Sequence, residues 1–191
     1  MIAQALQFLV QTLGNLLAIA ALLRFLMQMF RVPFNNPFAQ FIVAVTNFAV
    51  KPLRRVIPGF FGQDWASLLV AMLVEFAVVV VSYWLDDYPF GLAGGHIWSV
   101  LLGLAGVRLA SLAVYLLMGL TLLRAVMSWI NPYSPLMPVV AALTEPFLRP
   151  LRRIIPTVAN VDLSPLVLIL IFQLVLMVPI QTTEQALRSL L

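Results

Sequence analysis

Apolar side chains dominate four stretches of this chain, each near the roughly 20 residues that cross a bilayer core. They run from Ala5 to Phe30, Trp65 to Trp84, Arg108 to Ile130 (with an earlier start at Ile97 left open) and Leu163 to Ile180. The last is short, which predicts little tilt. Trp65, Trp84 and Trp129 fall at predicted ends, where an amphipathic ring prefers the membrane interface. Asp162-Leu163-Ser164-Pro165 offers a capping side chain ahead of a proline suited to a first helical turn.

Two shorter patterns lie between the spans. Asn36-Pro37 and Ser134-Pro135 each pair an N-cap residue with a proline for the first helical position. Phe38, Phe41, Ile42, Val45 and Phe48 follow at one-face helical spacing, with Gln40, Ala44 and Asn47 opposite. The second copy offers Leu136, Val139, Val140 and Leu143. These segments are too short to span, so each is expected to be an interfacial or re-entrant amphipathic helix.

The pattern is stated twice. Lys51-Pro52-Leu53-Arg54-Arg55-Val56-Ile57-Pro58 recurs 98 positions later as Arg149-Pro150-Leu151-Arg152-Arg153-Ile154-Ile155-Pro156. The same offset relates Pro37 to Pro135, Thr46 to Thr144 and Asp64 to Asp162, and Arg24 meets Arg124 after a two-residue slip. The prolines framing each octapeptide are expected to end the preceding helix and fix a rigid bend. Residues 1–90 read as the first, degenerate repeat and 91–191 as the second. Each holds two spans, so the copies run parallel, related by a pseudo-two-fold axis along the membrane normal.

Charge adds direction. Lys51, Arg54, Arg55, Arg149, Arg152 and Arg153 fall in the two loops within the repeats, whereas the connection from Leu85 to Ile97 carries Asp86 and Asp87 without Lys or Arg. The positive-inside rule places the basic loops in the cytoplasm, with both termini and the middle loop outside. The start, Met1-Ile2-Ala3-Gln4, lacks a basic n-region and reads as the beginning of a membrane helix. Composition agrees: 63% of residues are hydrophobic and 9% charged, so lipid must serve as solvent. The sequence holds no cysteine, which excludes disulfides and thiolate metal or haem sites within the chain.

The second half contains Leu123-Arg124-Ala125-Val126-Met127-Ser128-Trp129, Asn131-Pro132, Thr144-Glu145-Pro146, the basic octapeptide and Asp162-Leu163-Ser164-Pro165. These motifs resemble the YggT family, also called YlmG, of small integral membrane proteins, in its two-repeat proteobacterial form. The first half is a weaker copy, with Thr46-Asn47-Phe48 where the family motif has Thr-Glu-Pro. The resemblance implies a bacterial inner-membrane protein without an established chemistry. Family members sit beside cell-division factors in Gram-positive genomes, chloroplast relatives are associated with cytochrome b6 haem attachment and nucleoid organisation, and some bacterial members are linked to osmotic or potassium stress.

Glu75 lies eleven residues into the second span, near mid-bilayer, and its repeat mate is Gln173. A carboxylate there costs at least about 2.5 kcal/mol. Two readings stand level: a proton- or ion-handling site, or a protonated Glu75 bonded to Gln173 as glue between helices. Arg24 and Arg124 either snorkel to the headgroups or, for Arg124, pair with Glu145. The basic triplets place cations at i, i+3 and i+4, on one face if helical. They read first as a topology signal and second as a site for anionic phospholipid headgroups. Gly14 with Ala18 and Gly106 with Ala110 favour close helix contact. The single histidine, His96, reads as an ordinary loop residue.

The expectation is an all-α membrane protein of four transmembrane helices in two parallel repeats. Its role is read as a non-catalytic scaffold or assembly factor that contacts anionic lipid and a membrane or cell-division protein. The alternative is a small oligomeric channel or transporter component. No cofactor, metal or nucleic acid is expected, and a homo-oligomer is left open.

Overall fold

The computed structural model describes residues 1–57, 59, 62–91, 94–155 and 162–191. They form helices α1 (Ile2–Met29), α2 (Pro37–Leu53), α3 (Trp65–Leu85), α4 (Ile97–Ile130), α5 (Met137–Arg152) and α6 (Ser164–Val175). A π-helical stretch, Leu176–Ile180, joins α6 to α7 (Gln181–Arg188). No strand occurs among the described residues. The candidate spans are α1, α3, α4 and the continuous Ser164–Arg188 rod, so this is an all-α membrane protein with four spans. Large apolar side chains such as Leu13, Leu73, Leu122 and Leu170 lie exposed along them, as lipid solvation requires.

α1 and α3 form an antiparallel hairpin. Both stop in the same way, with a non-glycine residue in the left-handed region: Arg31 at φ 54° and Asp87 at φ 56°. In each case the next residue's N–H returns to the third-last helical carbonyl, Val32 to Met27 (2.8 Å) and Tyr88 to Tyr83 (3.0 Å). The seam between the helices is tight because Gly14 stands against Val78; a Cβ added there would lie 2.2 Å from Val78 Cγ2. α4 and α6 repeat the hairpin. α2 packs across α1 and α3, and α5 across α4 and α6. The two repeats meet chiefly where α4 lies against α3 and α1; α3 and α6 make no contact.

Several expected boundaries move. The third span takes the earlier start at Ile97, and its 34 residues rise about 51 Å, well beyond a ~30 Å hydrocarbon core. The fourth does not stop at Ile180. Pro179 withholds an N–H, and the π-helical stretch around it absorbs the gap so that the rod continues to Arg188. The amphipathic α7 then docks back, with Leu187 over Gly103 and Tyr88 Oη donating to the Leu191 carbonyl (2.9 Å).

The short helices also differ in detail. Asn36 caps α2 as expected, its Oδ1 accepting from Ala39 N at 2.8 Å. α5 begins at Met137 instead of Pro135, because a turn from Asn131 to Ser134 intervenes and Pro138 takes the first-turn place. The octapeptides are not wholly turns: α2 passes through Pro52, and α5 through Pro146 and Pro150. These prolines are exposed, so the carbonyls they leave unpaired lie towards the surface. The bend comes one turn later and is the same in both copies, with Ile57 and Ile155 each donating to the leucine carbonyl at 2.8 Å. Pro58 and Pro156 lie outside the described residues.

α2 buries a different face from the one its aromatic residues suggest. Ala39, Ile42, Thr46 and Val50 face the core, while Phe41 and Phe48 are 61% and 70% exposed. In lipid an exposed aromatic carries no penalty, so hydrophobic spacing alone does not select the packed face. α5 buries Val139, Val140 and Leu143 as expected, with Thr144 and Leu148.

The α1–α3 seam leads to a test. Gly14→Ala must force α1 away from Val78 and is expected to lower unfolding stability in detergent by about 1–3 kcal/mol. Gly119→Ala, where an added Cβ meets nothing within 4 Å, should be neutral or slightly stabilising.

Candidate functional site: the arginine-anchored basic face

At the end of the bundle where α2 and α5 pack, each repeat builds an ion network around a helix arginine. Arg24 sits inside the last two turns of α1 and is 3% exposed. Its Nη1 donates to Thr46 Oγ1 (2.9 Å) and Asn47 Oδ1 (3.0 Å) on α2. Its Nε lies 3.3 Å from Asp64 Oδ2. Thr46 passes its own hydroxyl proton to the Ile42 carbonyl (2.7 Å), which leaves its lone pairs for Arg24.

Asp64 is the centre of this network. It caps α3, accepting from Ser67 N (3.3 Å) and Ser67 Oγ (2.5 Å). It also receives a two-pronged contact from Arg54, Nε to Oδ1 at 3.0 Å and Nη2 to Oδ2. One carboxylate thus joins α1, the end of α2 and the start of α3. Burial pushes its carboxyl upward in pKa. The Arg54 and Ser67 hydrogen bonds, with the Arg54 and Arg24 charges, outweigh that and hold it below the usual carboxylate range.

The second repeat uses the same positions with one more acid. Arg124 Nη1 donates to Thr144 Oγ1 (2.9 Å) and Nη2 to Glu145 Oε2 (2.6 Å). Glu145 also accepts from Arg152 Nη1 (3.2 Å), whose Nε reaches Asp162 Oδ2 at 2.8 Å. Asp162 Oδ1 accepts from Ser164 N (2.9 Å), so it holds the start of α6 although α6 begins two residues later. Glu145 is drawn below its ordinary pKa first by the Arg124 hydrogen bond. For Asp162 burial acts upward, but the Ser164 and Arg152 hydrogen bonds prevail and lower it. Pro146 and Pro150 ride the exposed side of α5, outside this network.

The basic triplets divide their labour. Arg54 and Arg152, the i+3 members, are committed to Asp64, or to Glu145 and Asp162. Lys51, Arg55, Arg149 and Arg153 are exposed and have no ion-pair partner among the described residues. The expected three cations per face are therefore two free cations and one internal anchor.

The structure does not bring Glu75 and Gln173 together. Glu75 is 1% exposed and faces α1. With the Asn15 amide nitrogen turned toward it, Asn15 donates to Glu75 Oε1 (3.2 Å) and to the Gln11 carbonyl (3.1 Å). Gln173 is exposed on α6 near Ser111 and Tyr115. The repeat offset equates their depth, but α4 stands between their helices. The sequence reading also missed Gln7, Gln11 and Asn15, whose signal was a polar residue every fourth position in an apolar helix. No group of three metal-type ligands occurs among the described residues.

Comparison with known proteins finds relatives of this chain by sequence. Residues 3–85 and 104–183 match the family model described as CCB3/YggT, one segment around each ion network. The chain is 37% identical over 173 residues to the uncharacterised protein YggT of Escherichia coli K12, covering 89% of this chain and 86% of that protein. It is 35% identical over 172 residues to an uncharacterised protein of Pseudomonas aeruginosa, covering 88% and 84% respectively. No solved structure matches the chain.

The two networks should fail differently. Asp64→Asn removes the counter-ion from a buried site and is expected to cost about 3–5 kcal/mol of unfolding stability. Glu145→Gln, at a carboxylate 43% exposed, should cost about 1 kcal/mol or less. The folded carboxyls lie below their unfolded values, so the unfolded chain binds more protons in acid. Their contribution is full above the unfolded carboxylate pKa of about 4 and is lost as pH falls through the folded one. A thermal unfolding series should show this loss, and Asp64→Asn should flatten it.

Proposed function

The chain belongs to the CCB3/YggT family, and we propose that it acts as a non-catalytic membrane scaffold or assembly factor whose basic face engages anionic lipid headgroups and a protein partner. The observation that carries this reading is the split within each triplet. One arginine is locked by acids, and this fixes the geometry of two others that face outward, Lys51 and Arg55 in one repeat and Arg149 and Arg153 in the other. Cations serving only as a topology signal need no such bracing. The exposed Phe41 and Phe48 of α2 and Trp129 at the end of α4 flank this face with groups that favour the headgroup region. Arg24, Thr46, Asp64 and Ser67 are engaged with one another, which supports a structural use of those side chains.

In this reading the protein lies in a bacterial inner membrane with the basic face in the cytoplasm. The termini and the α3–α4 connection face the periplasm. A small oligomeric channel or transporter component is the second reading, and buried Glu75 is the observation that favours it.

Each exposed cation near an anionic surface contributes about 1 kcal/mol. Replacing Lys51, Arg55, Arg149 and Arg153 together by Gln, with topology verified, is expected to weaken the preference for anionic over zwitterionic lipid roughly tenfold or more. Native mass spectrometry of retained lipids, with cross-linking to capture the partner, reads the result. Unchanged lipid retention and unchanged cross-links would remove the basis for the scaffold reading.

A further inference from the structure

At the end of the bundle opposite the basic turns, α1 and α3 are joined by a ladder of polar pairs. Gln7 Nε2 donates to Asp86 Oδ2 (3.2 Å), Gln11 Nε2 to Ser82 Oγ (3.3 Å), and Asn15 to Glu75 Oε1 (3.2 Å). The α1 members recur every fourth residue and so share a face. The ladder runs from the exposed end of the hairpin to the middle of the span. Beside it lies a cavity of about 290 Å³, bounded among others by Gln7, Gln11, Ser82, Asp86 and Arg108. A polar cavity of that size holds several water molecules.

The ladder ends at Glu75. Its Oε2 is buried without a hydrogen-bond partner among the described residues. Toward the basic face the hairpin continues with Ala18, Ala21 and Leu22 on α1 and Val70 and Ala71 on α3, all buried and apolar. The cavity thus approaches Glu75 from one side, its lining reaching Gln11 and Ser82, the rungs above Asn15 and Glu75, while a packed apolar seam closes the other side.

We propose that Glu75 is a proton-exchange site, reached by water along this ladder from the face that carries the termini. A proton carried in through water from the aqueous face binds the ionised Glu75 at Oε2 and leaves to water by the same route, while Asn15 keeps its hydrogen bond to Oε1. A metal cation fits less well: it needs several oxygen ligands, and Glu75 is the one acidic side chain within α1 and α3. Among charged groups, Arg108 on α4 and Asp86 line the cavity beside the ladder, and Glu184 and Arg188 of α7 pair with one another at 2.6 Å. α1 carries no charged side chain near Glu75.

The second repeat lacks this arrangement. Under the Arg24–Arg124 offset, Gln11 and Asn15 become Ser111 and Tyr115, and Glu75 corresponds to the exposed Gln173. The second repeat thus has no carboxylate at the position of Glu75.

The absence of native cysteine makes the test direct. Ser82→Cys, Glu75→Cys and Leu73→Cys are each exposed to a small charged methanethiosulfonate added to one side of oriented membrane vesicles. From the side of the termini, Ser82→Cys should react fastest and Glu75→Cys more slowly. From the basic side Glu75→Cys should not react, and lipid-facing Leu73→Cys should react from neither. Infrared spectroscopy of the full-length protein should show a protonated-carboxyl band that titrates with pH and is missing in Glu75→Gln. A Glu75→Cys thiol that reacts from both faces, or is inert while Ser82→Cys reacts, overturns the proposal. So does a carboxyl signal that is the same in wild type and Glu75→Gln at every pH. Should Glu75→Cys fail to fold, deuterium exchange at the same band in the wild type, slowed several-fold by Gln11→Leu, decides the matter; equal rates reject the ladder as the route.

Discussion

A charge that leaves water must meet its opposite, and in this protein that requirement fixes the geometry of one end of the bundle. Arg24 projects from an otherwise uncharged span into a site closed to solvent. It can remain there because Asp64 stands beside it and Thr46 and Asn47 accept hydrogen bonds from its Nη1. Asp64 in turn starts α3 and restrains Arg54 at the end of α2. Helix entry, helix docking and loop position are thus set by one carboxylate. Removing any partner leaves the others charged and poorly solvated, which is why such a cluster resists piecemeal change.

The second repeat meets the same need by a looser route. Glu145 replaces Asn47, lies in partial contact with solvent and bridges Arg124 to Arg152. Asp162 is then left to hold Arg152 and the start of α6. With two acids for two arginines this network is neutral, whereas Arg24, Arg54 and Asp64 retain one positive charge. The two ends of α2 and α5 therefore look alike in backbone and differ in charge and exposure, so any partner of the basic face meets two unlike halves.

Much of this architecture was legible because lipid imposes simple rules. Length and hydropathy mark the four spans, and the Asn36-Pro37 start of α2 follows from its cap. The Arg124–Glu145 pair could be named because both residues stand out in sequence. What sequence did not show is azimuth. A repeat offset equates the depth of Glu75 and Gln173 but not the side of the helix they face. Arg24 could be read as snorkelling because its partner, Asp64, lies forty residues on and looks like an ordinary cap. The aromatic residues of α2 misled for a related reason, since in a bilayer the exposed surface is as apolar as the core. Pro52 and Pro150 were read as stops, yet at a surface an unpaired carbonyl costs little and the helix continues.

Asp64 and Arg24 stabilise the fold through one another at a site closed to solvent. A double-mutant cycle of Arg24→Met and Asp64→Asn, followed by unfolding in detergent or bicelles, measures that coupling directly. The account predicts each single change to be severe and the pair much less than their sum, with a coupling of about 2 kcal/mol or more. Additive effects, with coupling near zero, would show that the two groups are stabilised independently and would contradict it.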